Sequence, residues 1–296
     1  MRIAVIHYRS TPTLSSKELI DAIKVLGHEP VYLKIHELDA YVDKGEILVK
    51  RFDDEIEVDG AIVRSIGMHL SLDAYMKRIG VLEALSTRAF VINKPTAITY
   101  TRDKWRSLLR LALNNIPVPP TVITENPFTA KRFIERHGRA VYKPLMGSLG
   151  LGSTLIEDPD LAYHVTRSLM NLRIPSYYQV FLEKPGFDFR VFVVGDNVVG
   201  AMKRVVDSGW KTNIAQGAHG VKVTYNEYPE VYEIALKTVS ILELDYAGVD
   251  VAYDTTSDKY YVLEVNAFPQ WQGLKTATGV DVAKHIVSYV INKIRR

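Results

Sequence analysis

The chain opens with short apolar runs separated by amphipathic stretches. RIAVIH reads as a strand. SSKELIDAIKVLG reads as a helix, with Leu19, Ile20, Ile23 and Leu26 on one face, Ser15 or Ser16 at its start and Gly27 as its stop. EPVYLKI is the next strand, and ILVKRFDDEIEV is a hairpin turning at Asp53-Asp54. AIVRS is a strand, SLDAYMKRIGVLEAL a helix and AFVIN a strand. Such alternation predicts a mostly parallel, doubly wound α/β sheet over residues 1–94.

TRDKWRSLLRLALNN predicts a helix capped by Thr101, with Trp105, Leu108, Leu109, Ala112 and Ile116 as its buried stripe. PVPP ends it, because proline cannot continue a helix. A strand, a helix near 127–137, the strand RAVYKPL, a glycine-rich loop, the strand STLIE, a helix over 159–172 and the strand YYQVFLE complete an α+β unit over 95–183. In the remaining stretch, 184–296, FDFRVFVVG and DNVVGAMKRVV form a hairpin, followed by a loop over 208–220 and a helix near 226–242. YAGVDVAYD and KYYVLEVNAF form a second hairpin, and VDVAKHIVSYVINKI a closing helix. No internal repeat or low-complexity segment interrupts the pattern.

With 296 residues, 47% of them hydrophobic, the chain can bury a core for two or three domains. Cysteine is absent, which removes disulfides, thiolate nucleophiles and thiolate metal sites. No apolar run approaches the roughly 18 residues of a membrane span, and the first is too short for a signal peptide. The expectation is a cytoplasmic protein with no membrane partner. The net charge of +3 is spread over interspersed charges with no Lys/Arg run. That fits ordinary solubility and gives no support to a nucleic-acid partner.

Three constellations carry chemistry. In the first, a strand delivers Lys143 to the loop Gly147-Ser148-Leu149-Gly150-Leu151-Gly152. Glycines let backbone N–H groups approach a polyphosphate, and lysine adds a point charge. The lysine precedes the glycines, so this is not a Walker A loop, and an ordinary glycine-rich turn is the other reading. In the second, Glu264 and Asn266 share one face of an apolar strand, with Val262 on that face and Leu263 and Val265 on the other. Asp250 lies in the preceding apolar strand. Three oxygen donors there suit a hard cation with phosphate co-ligands, provided Asp250 pairs with an even-numbered residue, Glu264 or Asn266. Exposed polar positions on a half-solvated sheet are the alternative. The third is cationic: Arg190 and Arg204 in paired apolar strands, Lys104 at a helix start, and Asn213 in the loop that follows.

The ordered set TRDKWRSL, VYKPLMGSLGLG, YYQVFLEKPGFDFRVFVVGDNVVGAMKR, GWKTNIAQGA and GVDV…VLEVN resembles the ATP-grasp family, and within it the RimK-type glutamate ligases. The resemblance spans nearly the whole chain. It implies an ATP-grasp fold: an N-terminal domain over 1–94 and two α+β subdomains, 95–183 and 184–296, enclosing ATP. It places Lys104, Lys143 and the loop Gly147, Ser148, Gly150 and Gly152 on the phosphates. The backbone of Gln179, Val180, Phe181 and Leu182 would meet adenine, and Asp188 the ribose. Arg190 and Arg204 would face the γ-phosphate and the acyl-phosphate, and Asn213 would touch the γ-phosphate or the reacting carboxylate. Asp250, Glu264 and Asn266 would hold Mg²⁺ or Mn²⁺, and Arg64 would bind substrate. The implied partners are glutamate and an acceptor carboxylate, in a homo-oligomer. NAFPQWQGL resembles archaeal ligases that add glutamate to coenzyme tails, though Gln270 stands where those carry glycine, and Val180 where relatives often carry glutamate. Rival readings are a ligase acting on a protein acceptor and a non-catalytic ATP-binding regulator.

Overall fold

In the computed structural model, which describes residues 1–68, 70–145, 151–206, 209–210 and 217–295, the chain builds four sheets. β1 (Arg2–His7), α1 (Leu14–Val25) and β2 (Glu29–Lys34) form the first crossover. Thr13 caps α1 by accepting from the Ser16 N–H, so Ser15 and Ser16 are buried within the first turn rather than capping it. β3 (Leu38–Asp43), β4 (Glu46–Arg51) and β5 (Asp54–Glu55) form a separate antiparallel sheet that the pattern showed only in part. Its first turn is Lys44-Gly45, both left-handed, as a two-residue hairpin requires. The second turn falls at Phe52-Asp53 rather than Asp53-Asp54, because Asp54 already pairs with Arg51. β6 (Gly60–Val63), α2 (Leu72–Ser86) and β7 (Phe90–Ile92) complete the parallel sheet in the order β2-β1-β6-β7.

A further helix, not expected from the pattern, precedes the expected one. α3 (Pro95–Arg102) stops at Asp103, whose carboxylate caps α4 (Lys104–Leu113) by accepting from the N–H groups of Trp105 and Arg106. Thr101 is therefore inside α3, with its hydroxyl bonded back to Ala97 O at 2.8 Å. The buried face of α4 is Ser107, Leu108 and Leu111, while Leu109 and Ala112 are exposed. This break sets Lys104 at a helix start.

β8 (Thr121–Thr124), α5 (Pro127–His137), β9 (Ala140–Lys143), β10 (Thr154–Ile156), α6 (Pro159–Asn171) and β11 (Ser176–Val180) form the central unit, with sheet order β10-β9-β11-β8. Its small core is its own: Ala130, Ile134, Ala140, Ile156, Ala162 and Tyr178. The last sheet contains β12 (Phe187–Val194), β13 (Asn197–Val205) and β14 (His219–Lys222), followed by α7 (Pro229–Ile241), β15 (Tyr246–Asp254) and β16 (Lys259–Asn266). α8 (Gln272–Thr278) and α9 (Val282–Ile294) end the chain, and the strands order as β14-β13-β12-β15-β16.

One face of that sheet buries Phe189, Val191, Val249, Val251, Val262 and Val265 with α7. At one end of the other face, Phe192, Met202 and Tyr246 share a core with α9 and with Ile3, Ile62 and Ile92 of the parallel sheet. Asn93 fastens the two: its amide donates to Tyr246 O and Ala267 O at 2.9 Å and accepts from the N–H groups of Asp245 and Tyr246. The rest of that face is polar and carries Asp188, Arg190, Arg204, Asp250 and Glu264.

Candidate active site

Strand register assembles the polar face. β12 sets Asp188 against Arg204 of β13, and Arg190 against Asp250 of β15. Asp250 opposes Glu264 of β16, and Gly248 opposes Asn266. Opposed residues in antiparallel pairs share a face, so six polar side chains converge and the even-numbered pairing required of Asp250 is met. A bulge follows at once: Val251 pairs with Val262, leaving Leu263 as the extra residue. Val262, expected beside Glu264, therefore turns into the core with Val265.

The charges form a chain. Arg204 donates Nε and Nη2 to the two oxygens of Asp188 at 2.7 and 2.8 Å. The same Nη2 lies 3.1 Å from Asp250 Oδ2, and Arg190 Nη2 donates to that oxygen at 3.1 Å. Asp188, expected near a ribose, instead has both oxygens engaged by Arg204 at a buried position. Arg190 Nε lies 2.5 Å from Asp250 Oδ1 but off the line of a hydrogen bond. That buried oxygen keeps its acceptor capacity. Gly248 makes room for the arrangement, since a Cβ there would meet Arg190 Nη1 at 2.6 Å and Pro269 Cβ at 2.9 Å.

The lysines approach from the central unit and from α4. Lys143, at the end of β9, donates to Gln179 Oε1 at 2.5 Å. Burial pushes its pKa down to about 8; Glu264 and Asp250 oppose the shift, and Lys104 and Lys184 reinforce it. Lys143 therefore lies within the field of the acidic pair on the last sheet. Lys104 Nζ is 3.9 Å from Glu264. Lys184 was missed in the sequence; it sits in the β11–β12 connection, where no periodicity marks it. Burial lowers its pKa, with Asp188, Arg204 and Asp250 around it, and its Nζ donates to Trp210 O at 3.1 Å.

The expected adenine strand is partly committed. Gln179 is buried in β11 between β8 and β9, and its side chain braces Lys143. The N–H groups of Val180 and Phe181 donate to Pro120 O and Arg139 O at 2.9 and 3.0 Å. Leu182 follows, buried. Gly152 has a left-handed φ of 76° and packs against Pro144. Gly147, Ser148, Gly150 and Asn213 lie outside the described residues.

Arg64, just beyond β6, is buried. It donates Nη2 to Pro269 O at 2.7 Å and stacks on Trp271 at 4.4 Å from the ring centroid. Pro269 is the residue beside Gly248 and Arg190, so Arg64 reaches the back of the same ridge.

Among the described residues no cluster of three His, Cys, Asp or Glu side chains forms a self-sufficient metal cage. Asp250, Glu264 and Asn266 offer hard oxygens and an incomplete sphere. That suits Mg²⁺ shared with phosphate oxygens, with Glu264 the carboxylate less tightly paired and Asp250 ion-paired to Arg190 and Arg204. Among the described residues, five cations (Lys104, Lys143, Lys184, Arg190 and Arg204) stand with three carboxylates (Asp188, Asp250 and Glu264), a balance that favours a polyanion.

The RimK-like ATP-grasp domain family matches residues 101–290. The chain is 34% identical over 253 residues to "Tetrahydromethanopterin:alpha-L-glutamate ligase" of Methanocaldococcus jannaschii, covering 83% of each chain. It is 33% identical to "Probable alpha-L-glutamate ligase" of Nitrosococcus oceani, covering 98% of this chain and 95% of that one. Among solved structures, the ATP-grasp ligase PsnB complexed with a phosphomimetic variant of its minimal precursor, Mg and ADP superposes with a TM-score of 0.76. The identity there is 22%, over 99% of this chain and 98% of that one, a likeness of fold.

Proposed function

Because the chain belongs to the RimK-like ATP-grasp family, we propose that it is an ATP-dependent carboxylate–amine ligase that adds L-glutamate to an acceptor carboxylate and releases ADP and phosphate. The observation that carries this reading is the Asp188–Arg204–Asp250–Arg190 chain on one sheet face with Glu264 beside it, Lys104 at 3.9 Å from Glu264 and Lys143 in the field of Glu264 and Asp250.

The acceptor carboxylate attacks the γ-phosphorus of ATP, giving an acyl-phosphate and ADP. The glutamate amine then attacks the acyl carbon, and phosphate leaves. Phosphoryl transfer of this kind needs alignment and charge neutralisation more than covalent help. Lys104, Lys143 and the loop from Gly147 through Ser148 and Gly150 to Gly152 hold the phosphates. The backbone at Leu182 meets adenine. Arg190, Arg204 and Asn213 neutralise the transferring phosphoryl group, and Arg64 orients substrate. Asp250, Glu264 and Asn266 would hold Mg²⁺, or Mn²⁺ in its place, which supplies charge neutralisation at the β- and γ-phosphates. The archaeal relative's name points to a coenzyme acceptor, and we assign this chain the same acceptor class.

The test is glutamate- and acceptor-dependent ADP release, with acceptors screened by mass spectrometry for addition of one glutamyl residue mass. ADP release that ignores both substrates would sink the reading.

A further inference from the structure

Three arginines gather round the segment that follows β6. Arg64 is buried. Arg78 of α2 donates Nη1 to Ile66 O at 2.5 Å, and Arg102, the last residue of α3, donates Nη1 to Gly67 O at 2.9 Å. Among the described residues none of the three has a carboxylate within ion-pair distance, and each is met by neutral carbonyls, hydroxyls or rings. The buried Nε atoms of Arg64 and Arg102 have no acceptor. Withdrawing a charge from water without a counter-ion is costly. Burial lowers the pKa of both Arg78 and Arg102; at Arg102 the ring of Tyr75 opposes the shift and Arg78 adds to it. Bracing a turn through two carbonyl groups does not need guanidinium groups, since a glutamine amide would serve. Two planar forks, each with donors to spare, match a carboxylate.

The placement is that of a substrate bed. The segment lies at the carboxyl end of parallel strands, where open α/β sheets take their ligands. Gly67, at φ 106°, allows the Arg78 guanidinium to close on the turn, because a Cβ there would collide with Nη1. On one side Arg102 stands two residues before Lys104, whose Nζ is 3.9 Å from Glu264. On the other, Arg64 binds Pro269 O next to Gly248 and Arg190. The bed thus borders the reaction centre at both ends.

We propose that Arg78 and Arg102 bind a second carboxylate of the acceptor, one that does not react, so that the enzyme takes acceptors carrying two or more carboxylates. This rests on the ligase reading for the word acceptor; the site itself does not depend on turnover.

The experiment is calorimetry on the full chain saturated with Mg²⁺ and the non-hydrolysable ATP analogue AMPPNP. The probes are the dipeptide glutamyl-glutamate, the dipeptide glutaminyl-glutamine, which carries a single carboxylate, L-glutamate and L-glutamine. Glutamyl-glutamate is expected to bind about tenfold or more tighter than glutaminyl-glutamine, the worth of one charge-assisted fork. Arg78→Gln and Arg102→Gln should each remove that preference while AMPPNP affinity stays within about twofold of wild type. A wild-type protein that binds the two dipeptides equally overturns the proposal. So does a preference for glutamate over glutamine that the same variants abolish, since the bed would then serve the amine donor. If either variant does not fold, wild-type protein treated with phenylglyoxal decides: glutamyl-glutamate, and not glutaminyl-glutamine, should protect Arg78 and Arg102, and unprotected arginines refute the site. Absence of ADP release with every amino acid would instead count against the ligase reading.

Discussion

Asp188 and Arg204 face each other directly across β12 and β13 and close a two-bonded fork of 2.7 and 2.8 Å at a position from which water is excluded. Buried ion pairs are seldom retained for stability alone, because desolvation offsets most of their attraction. The pair has a local consequence. With Asp188 as the two-bonded partner of Arg204, Asp250 is the residue that links Arg204 to Arg190.

Asp188 is therefore a positioning residue in this reading. Asp188→Asn keeps the shape but removes the charge, and kcat should fall about 10- to 100-fold with a much smaller change in the KM for ATP. Asp188→Ala strands a buried guanidinium and should also cost about 3–5 kcal/mol in denaturant unfolding. Wild-type kcat in the folded asparagine variant would leave Asp188 with a neutralising role only.

Glu264 differs from Asp250 in setting: it is half-buried, and its nearest cation, Lys104, is 3.9 Å away, too far for a hydrogen bond. A carboxylate so loosely held is available to a metal. Glu264→Gln should abolish glutamate-dependent ADP release and weaken Mg²⁺-dependent nucleotide binding, with thermal stability nearly unchanged. Retained turnover at saturating Mg²⁺ would remove Glu264 from the metal site.

Lys143 makes the site sensitive to pH. Its pKa in the folded protein is lowered from 10.5 to about 8, chiefly by burial, so the folded chain releases this proton before the unfolded chain does. Below pH 8 both states hold the proton and the cost of the buried charge is fully present. Between about 8 and 10.5 the unfolded chain holds more protons, so this group's contribution makes stability rise with pH across that window. Nucleotide phosphates favour the charged amine. Binding AMPPNP near pH 8.5 should thus take up a proton, read as a buffer-dependent enthalpy in calorimetry, and Lys143→Met should abolish the uptake. Buffer-independent enthalpy in wild type would show that Lys143 does not meet the phosphates.

The sequence was legible where periodicity was strong. The parallel strands and helices of the first 94 residues, both late hairpins and the helix at 127–137 stand where the pattern set them, whereas β3 and the turn before β5 do not. It was blind where one residue changes the period. Asp103, rather than Thr101, caps α4 and ends α3 before it, and its capping role reads like any charged position. The bulge at Leu263 reverses the face of Val262, and no residue type announces it. The converging charges were visible as residues but not as partners. Asp188 and Arg204 are sixteen positions apart, and only the register of the hairpin makes them a pair rather than two separate ligand contacts. Lys184, Arg78 and Arg102 had no sequence signal beyond their charge.

Gly248 joins the two ends of the site and offers the sharpest steric test. It opposes Asn266 on β16 and leaves its missing side chain's space to Arg190 and Pro269. In Gly248→Ala the new methyl group would meet Arg190 Nη1 at 2.6 Å and Cδ at 3.4 Å, and Pro269 Cβ at 2.9 Å. Pro269 is the stiffer neighbour, and its carbonyl is held by Arg64 at 2.7 Å, so Arg190 is the group that must yield. It would swing off Asp250 and away from the phosphoryl position. The expected result is a fall in kcat of about tenfold or more, with a stability loss of about 1–3 kcal/mol typical of overpacking. Because Arg64 shares the ridge through Pro269, the KM for the carboxylate substrate should rise as well. A variant that loses stability but keeps kcat would show that Arg190 has room to move without consequence, and would take it out of the reaction centre.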